Sequence, residues 1–285
     1  MGDKLLILGL GSIGQRHARN ALAMGCEVIG YDMRKLFDVP PQIDWVESIR
    51  QGLALHPLGV IVATPPETHY KLALSMIESG IPCLIEKPLA TIWADALGIV
   101  TWAENHKVPL AIGYQLRFHP SLRRLKAQAD AGEFGTMRGA SAYFSSQKWC
   151  SGTYPADFLL ECSHELDMLR WFFGDPKYVE TMGEKNGEYA AGVIHFQQGE
   201  AGFCFDSVHP GYTRRMALIG GKGSAQWNFD QAENDQAYVD ELAEFLRICR
   251  GEQAAPSCTG RDGWWAVRIV EAIRKSGETG RWETI

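Results

Sequence analysis

Hydrophobic and polar positions follow two different patterns along the chain, and the first covers about residues 4–113. Five short runs are almost continuously apolar, as strands buried on both faces are: residues 5–10, 27–31, 59–63, 83–86 and 109–113. Between them, residues 13–24, 66–79 and 91–106 have the spacing of amphipathic helices. Gly25 and Gly80 stand at expected C-terminal caps, and Thr91 stands at an expected N-cap. The alternation predicts βαβ units and a doubly wound parallel sheet.

The second pattern begins after Gly113 and is typical of hairpins. Helices are predicted at residues 121–131 and 158–173, followed or flanked by strands with turn signals such as Gly187 and Gly199. The predicted strands are residues 137–149, 177–185, 188–197, 201–209 and 215–219. Two helices, residues 236–250 and 260–276, end the chain. We therefore predict an α/β domain over residues 1–115 and an α+β domain over residues 116–285, whose C-terminal helices can pack back on the first domain.

The sheet of the second domain is expected to be open, mostly antiparallel and covered by helices on one face. Its apolar residues occupy both alternation phases, with Ala201, Phe203 and Phe205 in one phase and Cys204 and Val208 in the other. An exposed apolar face usually marks a partner surface. The pattern predicts a homodimer or homotetramer formed through this sheet.

The amino-acid composition argues against nucleic-acid binding, membrane spanning and metal binding. With 46% hydrophobic residues, 22% charged residues and a net charge of -6, the chain reads as a folded globular protein without a basic footprint for nucleic acid. The pairs Arg123-Arg124 and Arg214-Arg215 are expected to be solvated or to face substrate. No apolar run approaches the roughly 20 residues that span a membrane, and no leader pattern is present, so the expected location is the cytoplasm. Seven cysteines without metal-ligand spacing are expected to be reduced thiols, and no metal site is predicted.

A glycine-rich motif directly follows the first predicted strand and opens the first helix: Gly9-Leu10-Gly11-Ser12-Ile13-Gly14. In this context Gly9 permits a tight turn, Gly11 lets the backbone approach a pyrophosphate, and Gly14 allows close packing of helix on strand. The helix N-terminus adds unpaired N–H groups and the positive end of a dipole. A dinucleotide bound along Gly9–Gly14 of a Rossmann domain is the prediction.

Asp32 follows the second strand, where a carboxylate accepts hydrogen bonds from the ribose hydroxyls of the adenosine. Its charge would repel a 2'-phosphate, so NAD is the predicted cofactor. Arg34 and Lys35 follow immediately and could offset the repulsion, which leaves NADP as an alternative.

Two further strands end in residues that carry chemistry. Thr64, Pro65 and His69 follow the third strand at the sheet edge where ligands bind, and we expect them near the cofactor, with a surface position as the alternative for His69. Glu86-Lys87-Pro88 ends the next strand. An ammonium group at that edge can stabilise negative charge that develops on a reacting oxygen.

The second half contributes a histidine between acidic residues. Glu161, His164 and Asp167 are spaced three apart on a predicted helix, so their side chains can share one stripe. A histidine that titrates near neutrality can take the proton of a hydroxyl group as hydride leaves.

These motifs, in this order, resemble the glucose-fructose oxidoreductase and inositol dehydrogenase (Gfo/Idh/MocA) family. The resemblance includes Ala63–His69, Gly113–Phe118 and Ser163–Asp167 and extends over nearly the whole chain. It implies that Lys87 lies beside the nicotinamide, that Glu86 is near the cofactor, and that the bond before Pro88 is often cis. It also implies that His164 is the general acid and base, which either Glu161 or Asp167 would orient.

The chain departs from the family pattern at Leu160, where many members have aspartate, and at Tyr154–Asp157, where a glycine-rich approach is common. Gln115 is expected near the cofactor, and Arg117, Lys148 and Tyr154 near the substrate, together with Lys87 and His164.

The predicted function is hydride transfer between NAD(P) and a sugar, a sugar derivative or a nucleotide sugar. Two alternatives remain open. One is a regulator or sensor that binds the dinucleotide without turnover, and the other is a lyase or glycosidase that takes hydride from one substrate and returns it.

Overall fold

The structure is a computed structural model that describes residues 2–34, 39–147, 157–185 and 188–285. The predictions made for Lys35, Lys148, Tyr154 and Gly187 fall outside these residues. The chain divides into two compact units. The first comprises Met1–Gln115 and Gln236–Trp264, and the second comprises Leu116–Asp235 and Trp265–Ile285.

The first unit is a six-stranded parallel sheet flanked by helices, with strand order β3-β2-β1-β4-β5-β6. Its strands are β1 (Lys4–Leu8), β2 (Glu27–Tyr31), β3 (Asp44–Trp45), β4 (Gly59–Val62), β5 (Cys83–Glu86) and β6 (Leu110–Gly113). Its helices are α1 (Ser12–Ala23), α2 (Ile49–Ala54), α3 (His69–Glu78) and α4 (Trp93–His106). The strand order reverses between β1 and β4, and ligands bind outside the carboxyl ends of the strands at such a switch point. The predicted doubly wound fold is confirmed.

Local sequence explains most helix ends of this unit. Gly25 and Gly80 have φ of 83° and 70°, the left-handed conformation expected just after a helix. Thr91 is not the N-cap of α4, because the helix begins at Trp93 and Ile92 occupies the cap position without a side-chain hydrogen bond. The prediction for Thr91 is therefore wrong. Pro66 begins a single 3₁₀ turn (Pro66–Thr68) that leads into α3.

A long helix near the C-terminus also belongs to the core of the first unit. This helix, α8 (Gln231–Cys249), was predicted to start five residues later and contributes Leu242, Phe245 and Leu246 to the cluster that contains Leu5, Ile7 and Ile61 of the central strands. The cluster is almost fully buried. Burial of apolar side chains on this scale is the main stabilising term of such a core.

The second unit is a seven-stranded sheet with order β12-β11-β7-β10-β9-β8-β13. The strands are β7 (Met137–Ser146), β8 (Pro176–Lys185), β9 (Tyr189–Phe196), β10 (Glu200–Asp206), β11 (Tyr212–Gly220), β12 (Ser224–Asn228) and β13 (Glu283–Thr284). The helices are α5 (Pro120–Asp130), α6 (Phe158–Glu161), α7 (Ser163–Phe173) and α9 (Gly260–Thr279), of which the part from Trp265 belongs to this unit. The pair β7 and β10 is parallel and the remaining pairs are antiparallel, so the mostly antiparallel prediction is confirmed.

The two faces of this sheet differ in how deeply their side chains are buried. In β10, Ala201, Phe203 and Phe205 are buried, whereas Cys204 on the opposite face is only partly buried. On the buried side, α9 is bonded to β8, because Thr181 donates its N–H to Ser276 Oγ (2.9 Å) and its hydroxyl to the Ile273 carbonyl (3.0 Å). Val208 lies beyond the end of β10 rather than on the open face, which corrects the predicted strand end.

The cysteines within the described residues form no disulfide bonds. The six cysteines there are free thiols, of which Cys26, Cys83, Cys162 and Cys258 are buried. Burial raises the pKa of the Cys249 thiol to about 12, so this group is a thiol and not a thiolate near neutrality.

Among the described residues, every helix is too short or too polar to cross a lipid bilayer.

His69 joins the ends of two neighbouring strands of the first unit. Its side chain is fully buried, with Nε2 2.8 Å from the Thr64 carbonyl oxygen after β4 and Nδ1 3.0 Å from the Pro88 carbonyl oxygen after β5. The alternative of a surface position is therefore wrong. Burial lowers the pKa of His69 and outweighs the opposing effect of the two carbonyls. The neutral ring donates one hydrogen bond to a carbonyl oxygen, and it holds the loops after β4 and β5 together.

We predict that His69 makes the protein less stable as the pH falls. Its pKa is lower in the folded chain than the ordinary value of 6.5, so below that pH the unfolded chain binds a proton that the folded chain does not. The free energy of unfolding should fall from about pH 7.5 to about pH 5.5, and it should fall less in His69→Gln. Urea unfolding at both pH values measures the difference. Equal pH dependence in the two proteins would contradict the prediction.

Candidate nucleotide and catalytic sites

The glycine-rich loop has the steric properties that a dinucleotide requires. Gly9 has φ of +86°, and a Cβ on it would lie 2.6 Å from the Ala63 carbonyl oxygen. A Cβ on Gly14 would lie 1.8 Å from the Gly9 carbonyl oxygen, so α1 packs on the loop at a distance that only glycine allows. Gly11 is exposed, and a Cβ there would meet no atom within 4 Å. The open backbone at Gly11 and Ser12, at the start of α1, fits a pyrophosphate.

Asp32 is held in place by the backbone. Its Oδ2 accepts a hydrogen bond from the N–H of Leu10 (2.9 Å), and its Oδ1 accepts one from the N–H of Arg34 (2.9 Å). The carboxylate is thus fixed beside the glycine-rich loop, with lone pairs left for ribose hydroxyls. Arg34 is exposed.

A depression beside Asp32 includes Glu47, which was not predicted as a site residue. It is lined by Tyr31, Asp32, Met33, Trp45, Val46 and Glu47. Glu47 lies two residues after the end of β3, a strand of two residues that is too short to show any periodicity. Its position at the carboxyl edge of the sheet was the available signal. Two carboxylates line the depression, which disfavours the 2'-phosphate of NADP and favours NAD.

Lys87 follows β5 at the same edge of the sheet, and its side chain is partly exposed. The peptide bond between Lys87 and Pro88 is cis. Glu86 is 7% exposed. Its Oε1 lies 2.7 Å from Nε2 of His17 on α1, and its Oε2 accepts the backbone N–H of Lys87 (3.2 Å). Glu86 therefore anchors the chain at Lys87 from inside the unit.

The remaining predicted nucleotide contacts are distributed around these loops. Thr64 is partly buried, and its hydroxyl bonds that of Thr68 (2.7 Å), while Pro65 is exposed. Both ring nitrogens of His69 lie next to backbone carbonyls, so the structure gives it a role in joining loops, and its predicted cofactor contact stays a prediction. Gln115 is buried and follows β6 at the start of a short 3₁₀ helix. Ile13 lies in the first turn of α1.

The second unit places His164 in the first turn of α7, where it is 4% exposed. Asp167, one turn later, accepts hydrogen bonds from Arg117 at Nε (2.8 Å) and Nη2 (2.6 Å). Both partners are almost fully buried. Arg117 and Asp167, predicted as a substrate contact and a possible partner of His164, thus form one bidentate ion pair that fixes the orientation of α7.

A second buried ion pair involves Glu165, the residue directly after His164. Glu165 lies 2.5 Å from Nε of Arg214 on β11, and both side chains are buried. This corrects the expectation that Arg214 is solvated or faces substrate. The available signal was Glu165 itself, a carboxylate within the helix that carries the motif. Glu161 ends α6, which is separated from α7 by Cys162, so the predicted continuous helix is two segments.

Comparison with known proteins agrees with this geometry. Residues 4–114 match the family model described as "Oxidoreductase family, NAD-binding Rossmann fold". Residues 157–244 match the model described as "Oxidoreductase family, C-terminal alpha/beta domain". Both models belong to the Gfo/Idh/MocA group.

Individual relatives cover most of the chain. Inositol 2-dehydrogenase 2 of Saccharopolyspora erythraea is 31% identical over an alignment of 255 residues that covers 78% of this chain and 75% of the relative. Myo-inositol dehydrogenase Hyg17 of Streptomyces leeuwenhoekii is 29% identical over 318 residues, covering 96% and 97% of the two chains. A crystal structure of a myo-inositol dehydrogenase from Corynebacterium glutamicum matches with a TM-score of 0.88 at 21% identity, over 100% of this chain and 99% of that chain, which shows the fold.

The nucleotide loop, Asp32 and Lys87 lie within the first matched segment, and His164 lies within the second. The family resemblance inferred from the motifs is confirmed, and so is NAD as the cofactor. The protein is an NAD-dependent oxidoreductase and belongs to the Gfo/Idh/MocA family.

Proposed function

We propose that the protein oxidises a secondary hydroxyl group of a cyclic polyol such as myo-inositol, or of a related sugar derivative, and reduces the corresponding ketone in reverse. The observation that carries the proposal is Lys87, which directly follows β5 at the same sheet edge as the NAD loop. Relatives named inositol dehydrogenases, matched over 96% and 78% of this chain, support a cyclitol as the substrate.

Lys87 supplies a positive charge near the reacting oxygen. NAD, when bound along Gly9–Gly14, supplies the acceptor for the hydride. The ammonium group of Lys87 then stabilises the negative charge that develops on the substrate oxygen as its proton leaves. Because Glu86 and His17 hold the backbone at Lys87, the ammonium is attached to a rigid support.

His164 takes the hydroxyl proton in oxidation and returns it in reduction. The carboxylates next to it in sequence, Glu165 and Asp167, are each bound to a buried arginine. These two ion pairs fix α7, and therefore the imidazole, and they leave little net charge around it. Precise placement of a general base is worth several orders of magnitude in rate.

Replacement of Lys87 or His164 tests the proposal. Lys87→Ala and His164→Ala should each lower kcat for the oxidation of myo-inositol by about 10²–10⁴-fold, because each removes a group that acts in the transition state. NADH formation is followed by absorbance, and NAD affinity is measured by titration to show that the cofactor site is intact. Lys71→Ala, a substitution of an exposed lysine on α3, is the matched control and should leave kcat unchanged. Unchanged turnover in both active-site variants would refute these roles.

Cofactor preference depends on Asp32 and Glu47. Asp32→Ala should weaken NAD binding by about 10-fold or more, because hydrogen bonds to a charged group are lost. The same change should improve the affinity for NADP relative to NAD. Glu47→Gln keeps the shape and should change the preference less, in the same direction. Titration of each variant with both dinucleotides gives the ratios, and a wild-type preference for NADP would overturn the assignment.

The two alternative functions are outcomes of the same assay. A regulator or sensor would bind NAD but produce no NADH with any cyclitol or sugar. A lyase or glycosidase that recycles hydride would convert its substrate without net accumulation of NADH. A location in the cytoplasm remains a prediction.

We also infer that the open face of the second sheet is covered by a second copy of the chain, giving a homodimer or homotetramer. This open face is formed by the side chains of β7, β9, β10 and β11 that point away from the buried face. It carries Tyr143, Ala191, Val193, Cys204 and Ile219. Ile219 is 54% exposed, and the others are partly buried. Apolar patches of this kind are rarely left in contact with water.

A charge placed on the open face should disrupt the oligomer. Val193→Asp should lower the mass measured by light scattering after size-exclusion chromatography, because an ionised carboxylate is costly to bury in an interface. Val208→Asp, at an exposed position beyond the end of β10, is the matched control and should keep the wild-type mass. A monomeric wild type would overturn the inference.

A further inference from the structure

Three titratable side chains from separate elements meet inside the first unit. They are His17 on α1, Glu86 at the end of β5 and Glu241 on α8, and their ligand atoms all lie within 4.8 Å of one another. Their exposures are 0%, 7% and 2%. We call this group the carboxylate cluster. Two buried carboxyl groups at this separation need a compensating charge or a proton.

Contacts on three sides fix the position of Glu86. His17 Nε2 lies 2.7 Å from Oε1, and the backbone N–H of Lys87 donates to Oε2 (3.2 Å). On the third side, a Cβ on Gly113 of β6 would lie 2.9 Å from Cδ and Oε2 of Glu86. The carboxylate therefore fills the space that a glycine leaves open.

Glu241 differs from Glu86 because both of its carboxyl oxygens are buried without a hydrogen-bond partner, and Nδ1 of His17 is in the same state. The groups that act on it electrostatically are Glu86 and, one turn along α8, Glu244. Burial and these two carboxylates raise the pKa of Glu241 well above its usual range. A neutral carboxylic acid, unlike a carboxylate, has an O–H to donate.

A metal ion would be the other way to compensate the cluster, but the geometry favours a proton. Two ligands of one zinc or magnesium ion lie about 3 Å apart or more, given metal–ligand distances of about 2.0–2.1 Å. The 2.7 Å between His17 Nε2 and Glu86 Oε1 is the length of a direct hydrogen bond. A bound cation would have to break this bond.

We propose that Glu241 is a positioning residue that faces Glu86 as a neutral acid, donates a hydrogen bond to its carboxylate, and with His17 fixes the chain at Lys87. The proposal rests on the proposed function in one respect, since the effect on turnover acts through Lys87. Glu241 itself touches neither substrate nor cofactor in this scheme. Its O–H satisfies the Glu86 carboxylate, which also lies 2.7 Å from Nε2 of His17.

The test compares two replacements of Glu241. Glu241→Gln keeps the shape and an N–H donor, whereas Glu241→Leu keeps the volume without a donor. In the oxidation of myo-inositol with NAD, the glutamine variant should have about 10-fold higher kcat than the leucine variant, with little change in KM for NAD. Asp240→Asn is the matched control on the same helix, because Asp240 is partly exposed and accepts its hydrogen bond from Gln236 (2.8 Å). It should match the wild type.

A second readout does not depend on the substrate. The infrared difference spectrum of wild type minus Glu241→Gln at neutral pH should contain the C=O stretch of a protonated carboxyl group, and its absence would overturn the proposal. Equal loss of kcat in both Glu241 variants would show that a charged carboxylate is needed, which also overturns it. Stoichiometric zinc or manganese in the purified wild type, lost in Glu241→Gln, would do the same.

The two readouts separate failures of different kinds. If the wild type oxidises no cyclitol, the proposed substrate is wrong, and the infrared band still decides the protonation of Glu241. If Glu241→Leu does not fold, the infrared band and the metal content of the glutamine variant remain decisive.

Discussion

The hydrogen bond between His17 and Glu86 connects the two parts of the first unit that the chemistry needs. His17 lies on the helix that begins at the glycine-rich loop. Glu86, 69 residues after His17, ends the strand that leads to Lys87. The bond forms because α1 lies close to the sheet, and α1 lies close because Gly14 packs against the Gly9 carbonyl without a Cβ. A steric property of two glycines thus determines where a lysine at the far end of another strand is held.

The fold could be predicted from the sequence because its long elements are strongly periodic. The central strands are fully buried apolar runs, and the strands of the second sheet alternate, so both sheets follow from the pattern. The elements that escaped prediction are short. β3 and β13 have two residues each, β12 has five and α2 has six, too few for a clear period to show. The two-part helix at Cys162 escaped for a different reason, since the apolar pattern continues across the break.

The residues of the candidate site could likewise be predicted only where a local pattern marks them. Gly9, Asp32, Lys87 and His164 could be found because each sits in a local motif or directly after a strand. The pairings in the site could not be predicted, because each spans a long stretch of chain: Arg117 with Asp167 and Glu86 with His17 are 50 and 69 residues apart. What the sequence offers for such partners is a polar residue on an otherwise apolar helix face. His17 among Gly14, Ala18 and Ala21 is one example.

The protein compensates its buried carboxylates in two ways, and the difference follows from what lies nearby. In the second unit, Glu165 and Asp167 are each paired with an arginine, and the resulting neutral pairs fix the helix that carries His164. In the first unit, an arginine beside Glu86 would place a fixed positive charge behind Lys87. That charge would repel the ammonium group from behind. A proton on Glu241 removes the repulsion between the carboxylates without adding a cation. The Glu86 carboxylate then keeps its contacts with His17 and with the backbone N–H of Lys87, and these hold the chain segment on which the proposed chemistry depends.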